Sequence, residues 1–216
     1  ELINRIENGG TLPLFTSCSP GWIKFIEHNY PDFLDHLSTC KSPQQMFGAI
    51  ANSYYLDNEE INEKELVVVS IMPCTAKKFE ATRSEMNDDV DYSLTTRELG
   101  RMIKQAGIDI MDLPQEDYDK LMGLSTGAAA IFGSTGGVME AALRTAYETL
   151  TGEELEKLDF TQVRGVKGIK ESQVKIGDMN IKVAVVNGLS NARKLMEKIK
   201  NGEKYHFVEF MACPGG

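Results

Sequence analysis

Ile181-Lys182-Val183-Ala184-Val185-Val186, a helical stretch from Ser190 to about Lys200, and His206-Phe207-Val208-Glu209-Phe210-Met211 together decide the fold class. Both apolar runs are rich in β-branched and aromatic residues, and each reads as a buried strand. A helix joining two such strands is the crossover of a parallel or mixed sheet, so the chain is of the α/β class. The pattern recurs upstream. Leu66-Val67-Val68-Val69-Ser70-Ile71 is a continuous apolar run, predicted to be a buried parallel strand. Tyr92-Ser93-Leu94 is a shorter strand, and Thr95 with Glu98 forms a capping box opening a helix to about Ala106. Ser42-Pro43-Gln44-Gln45 is a second capping box, with its helix predicted to reach about Tyr55. Trp22 to Tyr30 has helical spacing, and Gly136-Gly137 precedes a helix from Val138 to Leu150. Val163 to Ile176 suggests two strands around Gly165 and Gly168.

Three strand-like runs end in loops that carry a cysteine. The loops are Thr16-Ser17-Cys18-Ser19-Pro20-Gly21-Trp22, Met72-Pro73-Cys74-Thr75-Ala76-Lys77-Lys78-Phe79-Glu80, and Glu209-Phe210-Met211-Ala212-Cys213-Pro214-Gly215-Gly216. Strand ends are where α/β proteins build their sites. A proline adjoins each cysteine or lies one residue away, which stiffens the loop and removes a backbone donor. Single cysteines from distant strands suit an iron–sulfur cluster whose ligands are scattered in sequence. Three buried, inert thiols fit the spacing equally well.

The chain has 216 residues, enough for one large α/β domain or two lobes with their own cores. Its net charge of −9, without a basic stripe, argues against a nucleic-acid surface. No apolar stretch approaches the roughly 20 residues that span a bilayer. Four cysteines (Cys18, Cys40, Cys74 and Cys213) with no CxxC pair support neither a disulfide framework nor a zinc ribbon. Unpaired thiols favour a reducing compartment, and a cytoplasmic location is expected. The chain starts inside a helical pattern and stops two residues after Pro214, so it reads as a piece cut at both ends.

The three cysteine strings closely resemble the signatures of the catalytic domain of iron-only (FeFe) hydrogenases. Lys41-Ser42-Pro43-Gln44-Gln45, Thr95-Thr96-Arg97-Glu98-Leu99, Ile131 through Arg144, Gln162-Val163-Arg164-Gly165 and Tyr205-His206-Phe207 extend the likeness over nearly the whole chain. The resemblance implies a two-lobed α/β domain, with parallel or mixed sheets flanked by helices and a cluster site between the lobes. It implies a 4Fe-4S cluster sharing a thiolate with a two-iron subcluster that carries CO, cyanide and a bridging dithiolate. The implied reaction interconverts dihydrogen with protons and electrons. Ferredoxin or nicotinamide-coupled subunits are the implied redox partners, with no nucleic acid and no membrane span.

Residue by residue, the resemblance makes Cys74 and Cys213 cluster ligands. The family has two adjacent cysteines before Pro20, the first passing protons and the second ligating. Here Cys18 holds the first place and Ser19 the second, and a serine oxygen is a harder, far less acidic donor. Ser19 as an alkoxide, Cys18 or Cys40 are the alternatives for the missing ligand. Lys77 matches a lysine set against an iron-bound cyanide. Cys18, Ser38, Glu1 and Arg5 match a proton path, with a surface i,i+4 ion pair as the plain alternative for Glu1 and Arg5. Met72 and Met211 are the expected walls of the cofactor pocket, with core packing as the plain alternative, and Pro73 is expected beside them. Phe132-Gly133 and Gly136-Gly137 would bring backbone N–H groups near the cofactor's ligands, or simply form a glycine-rich helix entry. A non-catalytic relative of the iron–sulfur assembly type, or a sensory hydrogenase, is the competing reading, and Ser19 favours such a loss. The bridging ligand would follow Gly216, so residues 1–216 alone are expected to be inactive.

Overall fold

The computed structural model describes residues 1–59, 66–119, 127–153, 168–176 and 179–214. Two compact units are present, Glu1–Thr39 with Ser125–Gly216, and Cys40–Leu124. The strand expected around Val163 to Gly165 lies outside the described residues.

The first unit opens with α1 (Leu2–Glu7), β1 (Leu14–Thr16) and α2 (Pro20–Asn29). Ser19 in extended conformation and Pro20 at the first helical position start α2, and the chain leaves the helix at Tyr30, ahead of Pro31. Between the second unit's ends the order along the chain is α3 (Pro43–Ile50), α4 (Leu56–Glu59), β2 (Val69–Met72), α5 (Ala76–Ala81), β3 (Tyr92–Thr95) and α6 (Thr96–Gln105). The first unit then resumes with α7 (Gly127–Ile131), α8 (Gly137–Thr151), β4 (Ile169–Ile176), β5 (Met179–Asn187), α9 (Leu189–Lys200) and β6 (Phe207–Met211).

The first unit is a mixed four-stranded sheet in the order β1-β6-β5-β4. β1 and β5 run parallel to β6, as the helical crossover between β5 and β6 requires, while β4 forms an antiparallel hairpin with β5. Strand alternation sends Ile181, Val183, Val185 and Phe207 to one face, where Met139 and Leu143 of α8 cover them and α1 packs alongside. Ala184, Val186, Val208 and Phe210 point to the other face, against Trp22 and Ile26 of α2 and Leu195 and Met196 of α9. Trp22 is fully buried and stacks on Phe210 with ring centroids 3.6 Å apart. Burial on both faces explains why β5 and β6 read as unbroken apolar runs.

The second unit pairs β2 and β3 in parallel, with α5 and α6 following them, around a small core of Ala51, Val68 and Val90. The helix predicted from Ser42 to Tyr55 is present, but its second half, Ala51–Tyr55, widens into a π-helical turn before α4. Two expectations are corrected here. The Leu66–Ile71 run is not a doubly buried strand. Val67, Val69 and Ile71 are exposed, because the sheet has two strands among the described residues and buries one face. The Ser42 capping box does not form, since the Ser42 hydroxyl donates to Glu80 instead of capping α3. Gln45 is fully buried, and its amide nitrogen and oxygen have no hydrogen-bond partner among the described residues. By contrast the Thr95–Glu98 box is complete.

Candidate functional site

In the first unit, parallel β1 and β6 lie side by side in the register Thr16 with Glu209, so the loops after them emerge together. Ser17 fastens them, its hydroxyl donating to the Phe210 carbonyl at 2.6 Å while accepting the Ser19 N–H at 3.0 Å. Cys18 is half-buried in this bend. Ser19, 5% exposed, takes the position before Pro20, and its side chain does not cap α2. The position a Cβ would take on Gly21 lies 3.5 Å from the Ala212 Cβ and 3.7 Å from the Ser19 Oγ. The first and third signatures are therefore packed against each other. Met211 is buried at the end of β6, and Cys213 follows it, half-buried.

A third segment joins these two. The side-chain amide of Asn187, at the end of β5, donates to the Cys213 carbonyl at 3.0 Å and to the Thr135 hydroxyl at 3.3 Å. Thr135 belongs to the entry of α8, whose backbone is possible only with glycine. A Cβ on Gly137 would lie 1.7 Å from the Ile131 carbonyl oxygen. The N–H groups of this entry are already engaged. Gly136 donates to Glu209 Oε1 at 2.8 Å, and Gly137 donates to the Ser134 carbonyl at 2.9 Å. They are thus not free to face a cofactor ligand, which corrects the expectation for Gly136-Gly137. Phe132 and Gly133 sit in the exposed turn after α7.

Of the residues expected on a proton path, Glu1, Ser38 and Arg5 are in contact with one another or share Glu1 as partner. Glu1 accepts from the Ser38 hydroxyl at 2.6 Å, from the Thr39 N–H and from Arg5 at 2.7 Å. Arg5 forms the i,i+4 ion pair with Glu1, and its guanidinium also donates to the carbonyls of Thr11, Asp35 and Leu37. Burial pushes the Glu1 carboxyl up, but the bonds from Ser38, Thr39 and Arg5 outweigh it and hold the group below its usual range. The Ser38 N–H donates to Phe15 of β1, which lays this segment along the strand leading to Cys18.

In the second unit, Met72 ends β2, Pro73 is exposed, and Cys74 is half-buried in the three-residue connection to α5. Lys77 is 7% exposed, and both Glu80 oxygens accept from its ammonium, at 2.9 and 3.0 Å. The Ser42 hydroxyl adds a third bond to that carboxylate. The anion beside the buried Lys77 is therefore Glu80, and burial of the lysine alone does not require another. Lys78 pairs with Glu98 instead.

The profile of the family "Iron only hydrogenase large subunit, C-terminal domain" matches residues 1–216. The chain belongs to that family. It is 57% identical over 209 residues to the NADP-reducing hydrogenase subunit HndD of Solidesulfovibrio fructosivorans, covering 95% of this chain and 36% of that protein. It is 51% identical to the periplasmic Fe hydrogenase large subunit of Nitratidesulfovibrio vulgaris, covering 100% of this chain and 53% of the relative. The solved structure of a variant of the FeFe-hydrogenase HydA1 from Chlamydomonas reinhardtii superposes with a TM-score of 0.81 at 40% identity, covering 99% of this chain and 63% of that one. The chain thus spans about a third to two thirds of the length of these hydrogenases. Similarity to the cytosolic iron-sulfur assembly component 3 of Pongo abelii is more distant, at 32% identity over 219 residues, 95% of this chain and 45% of that protein.

The residues fit an iron–sulfur group in kind. Cys18, Cys74 and Cys213 stand just beyond the ends of β1, β2 and β6, and Gln45 offers a buried amide without a partner among the described residues. Among the described residues, which include all four cysteines, no disulfide forms, and no three His, Cys, Asp or Glu side chains gather into a metal site. Also among the described residues, no helix is long and apolar enough to cross a membrane. Two participants escaped the sequence reading: Asn187 and Glu209. The signal was legible for Glu209, a lone carboxylate between Val208 and Phe210 in an apolar strand.

Proposed function

We propose that this chain is catalytic-domain sequence of an FeFe hydrogenase that interconverts dihydrogen with protons and electrons. The observation that carries this reading is the Glu1–Ser38 hydrogen bond, held by Arg5 beside the β1 strand that leads to Cys18. A carboxylate and a hydroxyl in contact are the parts of a proton path, and a protein that only stores or delivers clusters has no use for one. When bound, a 4Fe-4S cluster linked to a two-iron subcluster with CO, cyanide and a bridging dithiolate would supply the hydrogen chemistry. Cys74 and Cys213 would hold the cubane, with Ser19, Cys18 or Cys40 at the remaining family position. Cys18 would hand the proton on toward Ser38 and Glu1. Lys77, charge-balanced by Glu80, would present donors to an anionic cofactor ligand. Met72, Pro73, Phe132, Gly133 and Met211 would wall the pocket, the methionines excluding water.

The name of the 57% identical relative supports nicotinamide-coupled subunits over ferredoxin as the redox partner. Cysteines that form no disulfide among the described residues suit a reducing compartment such as the cytoplasm. The test is made in the full-length protein. Cys18→Ala is expected to cut hydrogen turnover sharply while iron content stays nearly unchanged, and Cys74→Ala to deplete the cubane itself. Loss of iron in Cys18→Ala with no effect of Ser19→Ala would make Cys18 the ligand and end its relay role. Normal iron content with no hydrogen turnover in the unmutated protein would favour a non-catalytic relative, toward which Ser19 also points.

A further inference from the structure

Glu209 is an anomaly of the first unit. It is 1% exposed, and it lies on the same face of β6 as Phe207, inside the apolar layer under α8. It has no salt-bridge partner among the described residues. Both of its oxygens are instead met by backbone donors, Gly136 N–H at 2.8 Å and Met139 N–H at 2.7 Å. These donors belong to the first turn of the fifteen-residue α8, whose dipole places partial positive charge there. Burial pushes the Glu209 carboxyl up, and the two N–H bonds, one to each oxygen, oppose it as donors to an ionised carboxylate do. Cys213 follows four residues later, in the loop just after this strand, where Asn187 ties its carbonyl to Thr135 of the helix entry. An apolar residue would have satisfied the packing at position 209. A buried charge in that place has a cost that packing does not explain.

We propose that Glu209 is a positioning residue, a fixed buried charge that locks the α8 entry to the strand carrying Cys213 and sets the electrostatic surroundings of an iron–sulfur cluster held there. The lock follows from the fold alone, and the effect on the cluster rests on the function proposed above. A cluster gains negative charge on reduction, so a nearby buried carboxylate disfavours the reduced form and lowers the reduction potential.

Two variants of the full-length, cluster-loaded protein separate the lock from the charge. Glu209→Gln keeps the shape, removes the charge, and turns an NH2 donor toward one of the two N–H donors. Glu209→Asp keeps the charge and shortens the reach. Amide exchange at Gly136 and Met139 is expected to quicken by about ten- to hundredfold in both, the equivalent of one charge-assisted hydrogen bond. A redox titration followed by the reduced cluster's electron paramagnetic resonance signal is expected to move to more positive potential in Glu209→Gln and to stay near the original in Glu209→Asp. Unchanged exchange in both variants would overturn the lock. Faster exchange with an unmoved potential in Glu209→Gln would leave Glu209 as a helix cap and overturn its role toward the cluster. Should Glu209→Gln not fold, the exchange rates of Glu209→Asp still decide the lock. If the unmutated protein takes up no cluster, the cluster role falls with the hydrogenase reading, while the exchange arm decides the lock independently.

Discussion

Lys77 and Glu80 show what one side chain can decide. Both are almost fully buried, one turn apart on α5, and neither is tolerable there without the other. Lys77→Ala is expected to destabilise the second unit by about 3–5 kcal/mol, because Glu80 would remain buried with only the Ser42 hydroxyl beside it. Replacing both by apolar residues of similar size, Lys77→Met with Glu80→Leu, should recover most of that loss in a urea unfolding series. A double variant as unstable as the single one would show that packing, not charge, is at stake. At this scale the sequence was partly legible. The i,i+3 spacing of Lys77 and Glu80 and the i,i+4 spacing of Glu1 and Arg5 announce that each pair can meet. What it could not announce is burial, since the same spacing serves a solvent-exposed pair. Arg5 reads as a surface residue until its three carbonyl partners are seen.

Among the elements, α6 carries the clearest local code and the clearest pH signature. Hydrogen bonds from Lys78 and from the Thr95 N–H and hydroxyl hold the Glu98 carboxyl down at about 2, against an ordinary 4.5. A depressed folded-state value means that folding favours the ionised form. Its contribution is complete above about 4.5 and is lost as pH falls through about 2. Glu98→Gln should therefore lower the melting temperature at neutral pH, and the gap to the unmutated protein should close as the pH drops from 4.5 to 2. An equal gap at pH 7 and pH 2 would remove the charge from the explanation. Most elements were legible in the same way. The α6 box is a contiguous pattern, and the β5–α9–β6 succession is written in apolar runs buried on two faces. β2 misled for a physical reason, because Val67 to Ile71 looks like β5 while having a single partner strand among the described residues. Ser42 misled because a capping hydroxyl and a hydroxyl that serves Glu80 are the same residue in a sequence.

In the first unit as a whole, the sheet separates two apolar layers that share no side chain. Ile181 lies in the layer under α8 and Ile26 in the layer under α2 and α9. Ile181→Val and Ile26→Val are each expected to cost about 1 kcal/mol, and together to add within about 0.5 kcal/mol, as distant sites do. A larger interaction energy in chemical denaturation would mean that the sheet transmits strain between its faces. The three cysteine strings revealed the fold family at once. The side-chain ties among Ser17, Asn187, Thr135 and Cys213 stayed hidden, since they join residues that only the folded strand order brings together.

That strand order also has a consequence in time. β1 pairs with β6 alone among the strands, and Ser17 waits for the carbonyl of Phe210, 193 residues further on. The whole second unit is made in the interval. At about 5–20 residues per second a ribosome leaves the first strand without its partner for about 10–40 s. The β4–β5 hairpin, by contrast, closes on itself almost as soon as it emerges. In a growing chain, then, the loop bearing Cys18 stays open until the loop bearing Cys213 is made, and the two become neighbours only after the whole second unit has been synthesised.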